Sequence, residues 1–235
     1  MNRTLYVVPL LHDETEILRE GLPAFKKLPK DITDTYFEFV RAYWNRVEPR
    51  LSQHQVNRVY LDGYTGMPIE MIAAHAERGS KVSKAVMDIV SRGANLELTE
   101  EAPLIEVMRI VQKAYLRGQI SSQQYDREFM ATIMSRDYFI RRNIRATLKD
   151  GEKGMLFLGS SHIIPPYGDV TLEEVYPRQL LKQELLQHAG DAGRVIVEDI
   201  DMFERIHKTA IETGVAQQLE DYVEHPEKYG FDYKV

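Results

Sequence analysis

Short, continuously apolar runs punctuate this chain, and after each the spacing of apolar residues turns helical. Leu5 to Leu11 contains Tyr6-Val7-Val8 and stops at His12-Asp13-Glu14, and Val56 to Leu61 stops at Asp62-Gly63-Tyr64-Thr65-Gly66. Asn95 to Thr99 stops at Glu100-Glu101, Met155 to Leu158 breaks at Gly159-Ser160-Ser161-His162, and Arg194 to Val197 makes a fifth run. Runs this short, rich in β-branched and aromatic residues, predict strands covered on both faces, as in parallel sheets. Between them, apolar residues three and four apart predict helices over Glu14 to Leu28, Asp31 to Leu51, Met67 to Gly79 and Lys81 to Gly93. The same spacing continues over Pro103 to Leu116, Ser121 to Lys149, Arg178 to His188 and Ile206 to Val223. Strands alternating with helices predict an α/β fold over residues 1–235 as a single domain, with a central, mostly parallel (mixed) sheet of about five strands flanked by helices and helix-rich overall.

Composition narrows the chemistry. The chain contains no cysteine, which removes thiol nucleophiles, thiolate zinc sites and iron–sulfur clusters and leaves His, Asp, Glu or Tyr to hold any metal. A net charge of −6 argues against a general nucleic-acid binder. No stretch approaches the roughly 18 apolar residues of a membrane span, and Met1-Asn2-Arg3-Thr4-Leu5 lacks a signal-peptide layout, so no membrane and a cytoplasmic location are expected. Oligomeric state is left open, a homodimer included.

In open parallel sheets, ligands bind beyond the carboxyl ends of the strands. The residues that follow the runs are therefore the candidates: His12, Asp13, Glu14 and Glu16 after the first, Asp62 after the second, Glu100 and Glu101 after the third, and Ser160, Ser161 and His162 after the fourth. Two histidines with carboxylates on one rim suit a divalent metal that acidifies a bound water. Without metal, the same groups could serve as a general base with an electrostatic clamp. Asp13 and Asp62 are also suited to capping a following helix. His54, His75, His188, His207 and His225 fall on helices or their edges, where a solvated or capping imidazole is the simpler reading. Ser160-Ser161 does not form a nucleophile elbow, because the second glycine of G-x-S-x-G is missing.

Arg136 stands out. On the helix from Ser121 to Lys149 it lies three residues after Ile133 and four before Ile140, on the stripe that 129, 133, 140 and 144 mark as buried. A guanidinium there needs a carboxylate or an anionic ligand, and Asp62, Glu100 and the loop after His12 are the expected partners. The nearby run of Arg141, Arg142, Arg145, Lys149 and Lys153 reads as a solvated helix face.

The late segment Arg136-Asp137-Tyr138-Phe139-Ile140-Arg141-Arg142-Asn143-Ile144, then Leu148-Lys149-Asp150-Gly151, then Met155-Leu156-Phe157-Leu158-Gly159-Ser160-Ser161-His162, places an Arg-bearing helix just before a G-x-x-H turn. Together with Pro9-Leu10-Leu11-His12 and an acidic residue after the second strand, it resembles the TraB/PrgY, Tiki and GumN group, more distantly related to the erythromycin esterase and ChaN-like folds. Pro9 stands where that group has glycine, and Asp62 where it usually carries glutamate. The resemblance implies that His12, Asp62, Arg136 and His162 share one pocket. It also implies a metal-assisted hydrolase of peptide, amide or ester bonds, with His12, His162 and Asp62 around a divalent metal such as Mn, Zn or Co and Arg136 stabilising the developing oxyanion. The alternative is a non-catalytic binding or regulatory protein of the same fold, holding a small anion or signalling peptide. In either case a small molecule or peptide is the expected ligand.

Overall fold

The computed structural model describes residues 3–13, 29–159, 162–163 and 169–214. Among them, β1 (Arg3–Leu10), β2 (Arg58–Leu61), β3 (Asn95–Glu97), β4 (Lys153–Gly159) and β5 (Val170–Glu174) form one sheet in the order β3-β2-β4-β1-β5. Every pairing is parallel. The helices among the described residues are α1 (Lys30–Leu51), α2 (Ile69–Glu77), α3 (Lys81–Ser91), α4 (Ala102–Leu116), α5 (Ser122–Thr147), α6 (Arg178–His188) and α7 (Gly190–Glu212). The α/β architecture expected from the alternation of runs is the one observed. None of these helices is long and apolar enough to cross a membrane.

The pleat divides each strand between two apolar layers, because successive side chains point to opposite faces. Tyr6, Val8, Leu10, Val59, Met155 and Phe157 pack on one face against α1, α3, α6 and α7. Leu5, Tyr60, Leu156 and Leu158 face the other way, onto Ile140, Ile144 and Leu148 of α5 and the residue after it. Both faces are covered, so the strands read as unbroken apolar runs rather than alternating ones.

Pro9 sits in β1 at little cost. β5 pairs with β1 only as far as Val7, and the Pro9 carbonyl accepts from the Tyr43 hydroxyl at 2.5 Å instead of from a strand. In a strand a residue's N–H and C=O point the same way, so proline's missing N–H lies where the neighbouring strand has already ended. The aromatic stripe of α1 continues this support. Trp44 Nε1 donates to the Leu11 carbonyl at 3.4 Å and the Tyr36 hydroxyl to the His12 carbonyl at 3.2 Å.

One strand is not where its residues suggested. Arg194 to Val197 lies inside α7, and β5 is formed instead by Val170-Thr171-Leu172-Glu173-Glu174. The β-branched run Val195-Ile196-Val197 is absorbed by a 23-residue helix whose buried positions, among them Ala192, Val197, Ile200, Phe203, His207 and Ala210, repeat at helical spacing. Periodicity over many turns overrides the local strand preference. β5 is an edge strand with mostly exposed or half-buried residues, so its apolar signal is faint. The expected helix from Glu14 to Leu28 and the part of Ile206 to Val223 beyond Gly214 lie outside the described residues.

The strand order places the site. From β1 the chain goes on toward β2, on one side of the adjacent β4–β1 pair, and from β4 toward β5 on the other. In open α/β sheets such a reversal marks where ligands bind, at the carboxyl ends of the two strands. Leu10 is paired with Gly159, so β1 and β4 end side by side, with His12 and His162 close beyond them in the chain.

Candidate functional site: a buried carboxylate, histidine and arginine network

α5 supplies the centre of the site. Met130, Ile133, Ile140 and Ile144 fix its buried stripe, and both Arg136 and Asp137 lie on that stripe. Arg136 is 5% exposed, and its partners come from two strand ends. Nη2 donates to Asp62 Oδ1 at 2.6 Å and to Glu100 Oε1 at 2.8 Å, while Nε is paired with Glu100 Oε2. Nη1 lies 3.2 Å from the Met108 sulfur of α4. The guanidinium thus forks onto Glu100 and bridges it to Asp62, an arrangement a point ammonium could not reproduce.

Asp62 and Glu100 are further fixed by backbone. Gly159 N–H donates to Asp62 Oδ2 at 2.9 Å, and Gly63 N–H to Glu100 Oε1 at 2.6 Å. A Cβ on residue 159 would stand 2.5 Å from Asp62 Oδ2. Glycine at the end of β4 is therefore required for the carboxylate to reach the strand's backbone.

His162 is 2% exposed and lies between two carboxylates. Its Nδ1 is hydrogen-bonded to Asp137 Oδ1, and its Nε2 is 3.5 Å from Asp62 Oδ1. Asp137 Oδ2 also accepts from the Ile163 N–H at 3.2 Å and has His207 Nε2 at 3.0 Å, off the line of a hydrogen bond. The His162 carbonyl is held by Arg178 Nη2 at 2.8 Å, from the start of α6.

Charge follows from this geometry. Burial pushes the Asp62 carboxyl upward, but His162 and Arg136 outweigh it and hold it far below the usual carboxylate range. Asp137 behaves alike: burial is overcome by His162, and the carboxyl is lowered. Burial works against a charged His162, yet Asp62 and Asp137 win and raise it above an ordinary histidine. Arg136 is likewise held charged, its carboxylate neighbours outweighing desolvation. Asp62 and Asp137 thus lie between Arg136 and His162 inside the protein, while burial raises the adjoining Glu100 carboxyl.

Of the four residues singled out from the sequence, Asp62, Arg136 and His162 come together directly. His12 is half-buried beyond the end of β1, the strand beside β4. Asp13 does act as a cap, but for α3: its Oδ2 accepts from Lys81 N–H at 2.8 Å. Asp62 caps nothing and belongs to the network. Among the described residues no three His, Asp or Glu side chains form a group ready to take a metal ion.

Asp137, His207 and Arg178 were not legible as site residues. For Asp137 the signal existed, since it is four after Ile133 and three before Ile140 and so shares the stripe with Arg136. His207 was hidden because its helix was interrupted by a supposed strand; in the continuous α7 it falls four after Phe203 and three before Ala210. Ser160 and Ser161 lie outside the described residues. Set against family models, curated proteins and solved structures, the chain matches none.

Proposed function

We propose that this protein is a hydrolase of peptide, amide or ester bonds whose site is the strand-end network around His162 and Asp62, assisted by a divalent metal. The observation that carries this reading is His162 itself: one ring nitrogen is anchored by Asp137, and the other faces Asp62 Oδ1 across 3.5 Å. That is the arrangement of a metal-binding histidine, whose second nitrogen is oriented by a carboxylate. Two ligands of one ion at about 2.0–2.2 Å each stand about 3–3.5 Å apart, so the pair fits. His12, from the adjacent strand end, is the third donor in this reading. A bound Mn, Zn or Co ion would supply a water acidified toward neutral pH and would polarise the scissile carbonyl.

The chain's own residues do the rest. Asp137 sets the orientation of His162, and Gly159 N–H and Arg136 hold both oxygens of Asp62. Arg136 acts here as a positioning residue rather than as an oxyanion donor, because Glu100, Asp62 and the Met108 sulfur already occupy its fork. The same saturation weighs against a pocket in which Arg136 grips a small anion.

Turnover tests the proposal. Tag-free protein with added Mn²⁺, Co²⁺ or Zn²⁺ is assayed on a panel of chromogenic esters, anilides and short peptides. Metal-dependent turnover is expected, lost in His162→Ala and Asp62→Asn and reduced in Asp137→Asn. Turnover indifferent to chelation would make His162 a general base instead, and no turnover on any class with every metal would remove the hydrolase reading.

A further inference from the structure

α4 is an anomaly in this fold. Its sequence is largely apolar, Ala-Pro-Leu-Ile-Glu-Val-Met-Arg-Ile-Val-Gln-Lys-Ala-Tyr-Leu, yet none of its residues is buried. It packs mainly against α5, where Met108 reaches Arg136 and Tyr115 stacks on Tyr125. The opposite side carries Pro103, Val107, Ile110 and Ala114, spaced four, three and four, with Val107 46% and Ile110 56% exposed. An apolar stripe left in water over a helix about 22 Å long is the mark of an interaction surface.

Charge says what covers it. Along one edge of the stripe Glu106 lies four residues before Ile110 and Lys113 three after it, both exposed. A helix with an acid on one side of its midpoint and a base on the other is complementary to itself when two copies run antiparallel. Two-fold pairing about Ile110 sets Glu106 of each copy beside Lys113 of the other and stacks the stripes, which is an isologous interface. Among the described residues, Glu106 is loosely paired with Arg109, at 3.8 Å. We propose that the face of α4 formed by Pro103, Val107, Ile110 and Ala114 is a self-association surface, on which a second copy of this chain docks antiparallel. The inference is independent of the hydrolase reading, although Met108 on the inner side of α4 makes the interface a neighbour of the Arg136 network.

Sedimentation equilibrium on the full chain tests it, with circular dichroism and melting confirming that each variant is folded. The wild type should be dimeric at micromolar concentrations. Ile110→Asp should be monomeric, and Glu106→Lys or Lys113→Glu alone should weaken dimerisation at least tenfold. The double variant Glu106→Lys/Lys113→Glu should recover it, because the pairs are remade with signs exchanged. A wild type that stays monomeric at about 100 μM would assign the face to another kind of partner and overturn the proposal. So would a dimer indifferent to Ile110→Asp, or a double variant no better than the single ones.

Discussion

At the scale of single residues, Arg136 organises the site. It is buried and neutralises carboxylates delivered by two different strand ends, so its removal strands Asp62 and Glu100 without a cation. Breaking a buried pair this way costs about 3–5 kcal/mol. Arg136→Ala should lower the urea-unfolding free energy by that order, and Arg136→Lys should recover only part of it, since an ammonium cannot fork onto Glu100 while bridging to Asp62. The exposed Arg145 of the same helix should cost about a few tenths of a kcal/mol when replaced by alanine. Equal losses at Arg136 and Arg145 would mean that the buried network contributes little. The burial of Arg136 and its partnership with Asp62 and Glu100 followed from helical phase and from the rim each carboxylate occupies. Which carboxylate anchors His162 did not, because the Asp137 contact depends on how α5 lies across the end of β4.

At the scale of elements, two junctions are open to test. α6 and α7 cross so closely that a Cβ on Gly193 would stand 2.1 Å from the Leu185 carbonyl oxygen. Helix propensity alone predicts that Gly193→Ala stabilises by about 1 kcal/mol. The contact is with backbone and cannot step aside, so the substitution should instead destabilise by about 1–3 kcal/mol. The sign of the change in thermal unfolding decides between them. At the other end of the sheet, Arg58 joins β2 to Glu97 of β3 and to Glu152 just before β4. Its hydrogen bonds hold the Glu152 carboxyl below the ordinary glutamate value. A depressed carboxyl contributes stability above its unfolded value and loses it as pH falls through the folded one. Arg58→Met should therefore be destabilising near pH ~7, by a margin that shrinks toward pH ~3. A margin that grows on acidification would contradict the pairing. The elements differ in how far they could be read. β1, β2 and β4 announce themselves as apolar runs because helices cover both faces. β5, at the edge, carries too few buried residues to do so, and the strand-like run at 194–197 loses to the period of α7.

At the scale of the whole molecule, the strand order connects fold to chemistry. At the carboxyl ends of a parallel sheet in which β4 and β1 are neighbours, His162, Asp62 and the helix-borne Arg136 and Asp137 gather into one network. Alternating runs and helices are enough to foresee the sheet and to nominate strand-end residues. They do not show which of those residues meet, since that depends on strand order and on the path of α5 across the sheet. The proposed sharing of a divalent ion by His162 Nε2 and Asp62 Oδ1 is tested most directly by calorimetric titration of Mn²⁺, Co²⁺ and Zn²⁺ into tag-free protein. Stoichiometric binding of at least one ion with micromolar affinity or better is expected. A rise in melting temperature should accompany it, since an ion at about 100 times its dissociation constant adds about 2.7 kcal/mol to the folded state. Both effects should vanish in His162→Ala and in Asp62→Asn. Absence of binding by the wild type, or binding that both variants retain unchanged, would contradict it.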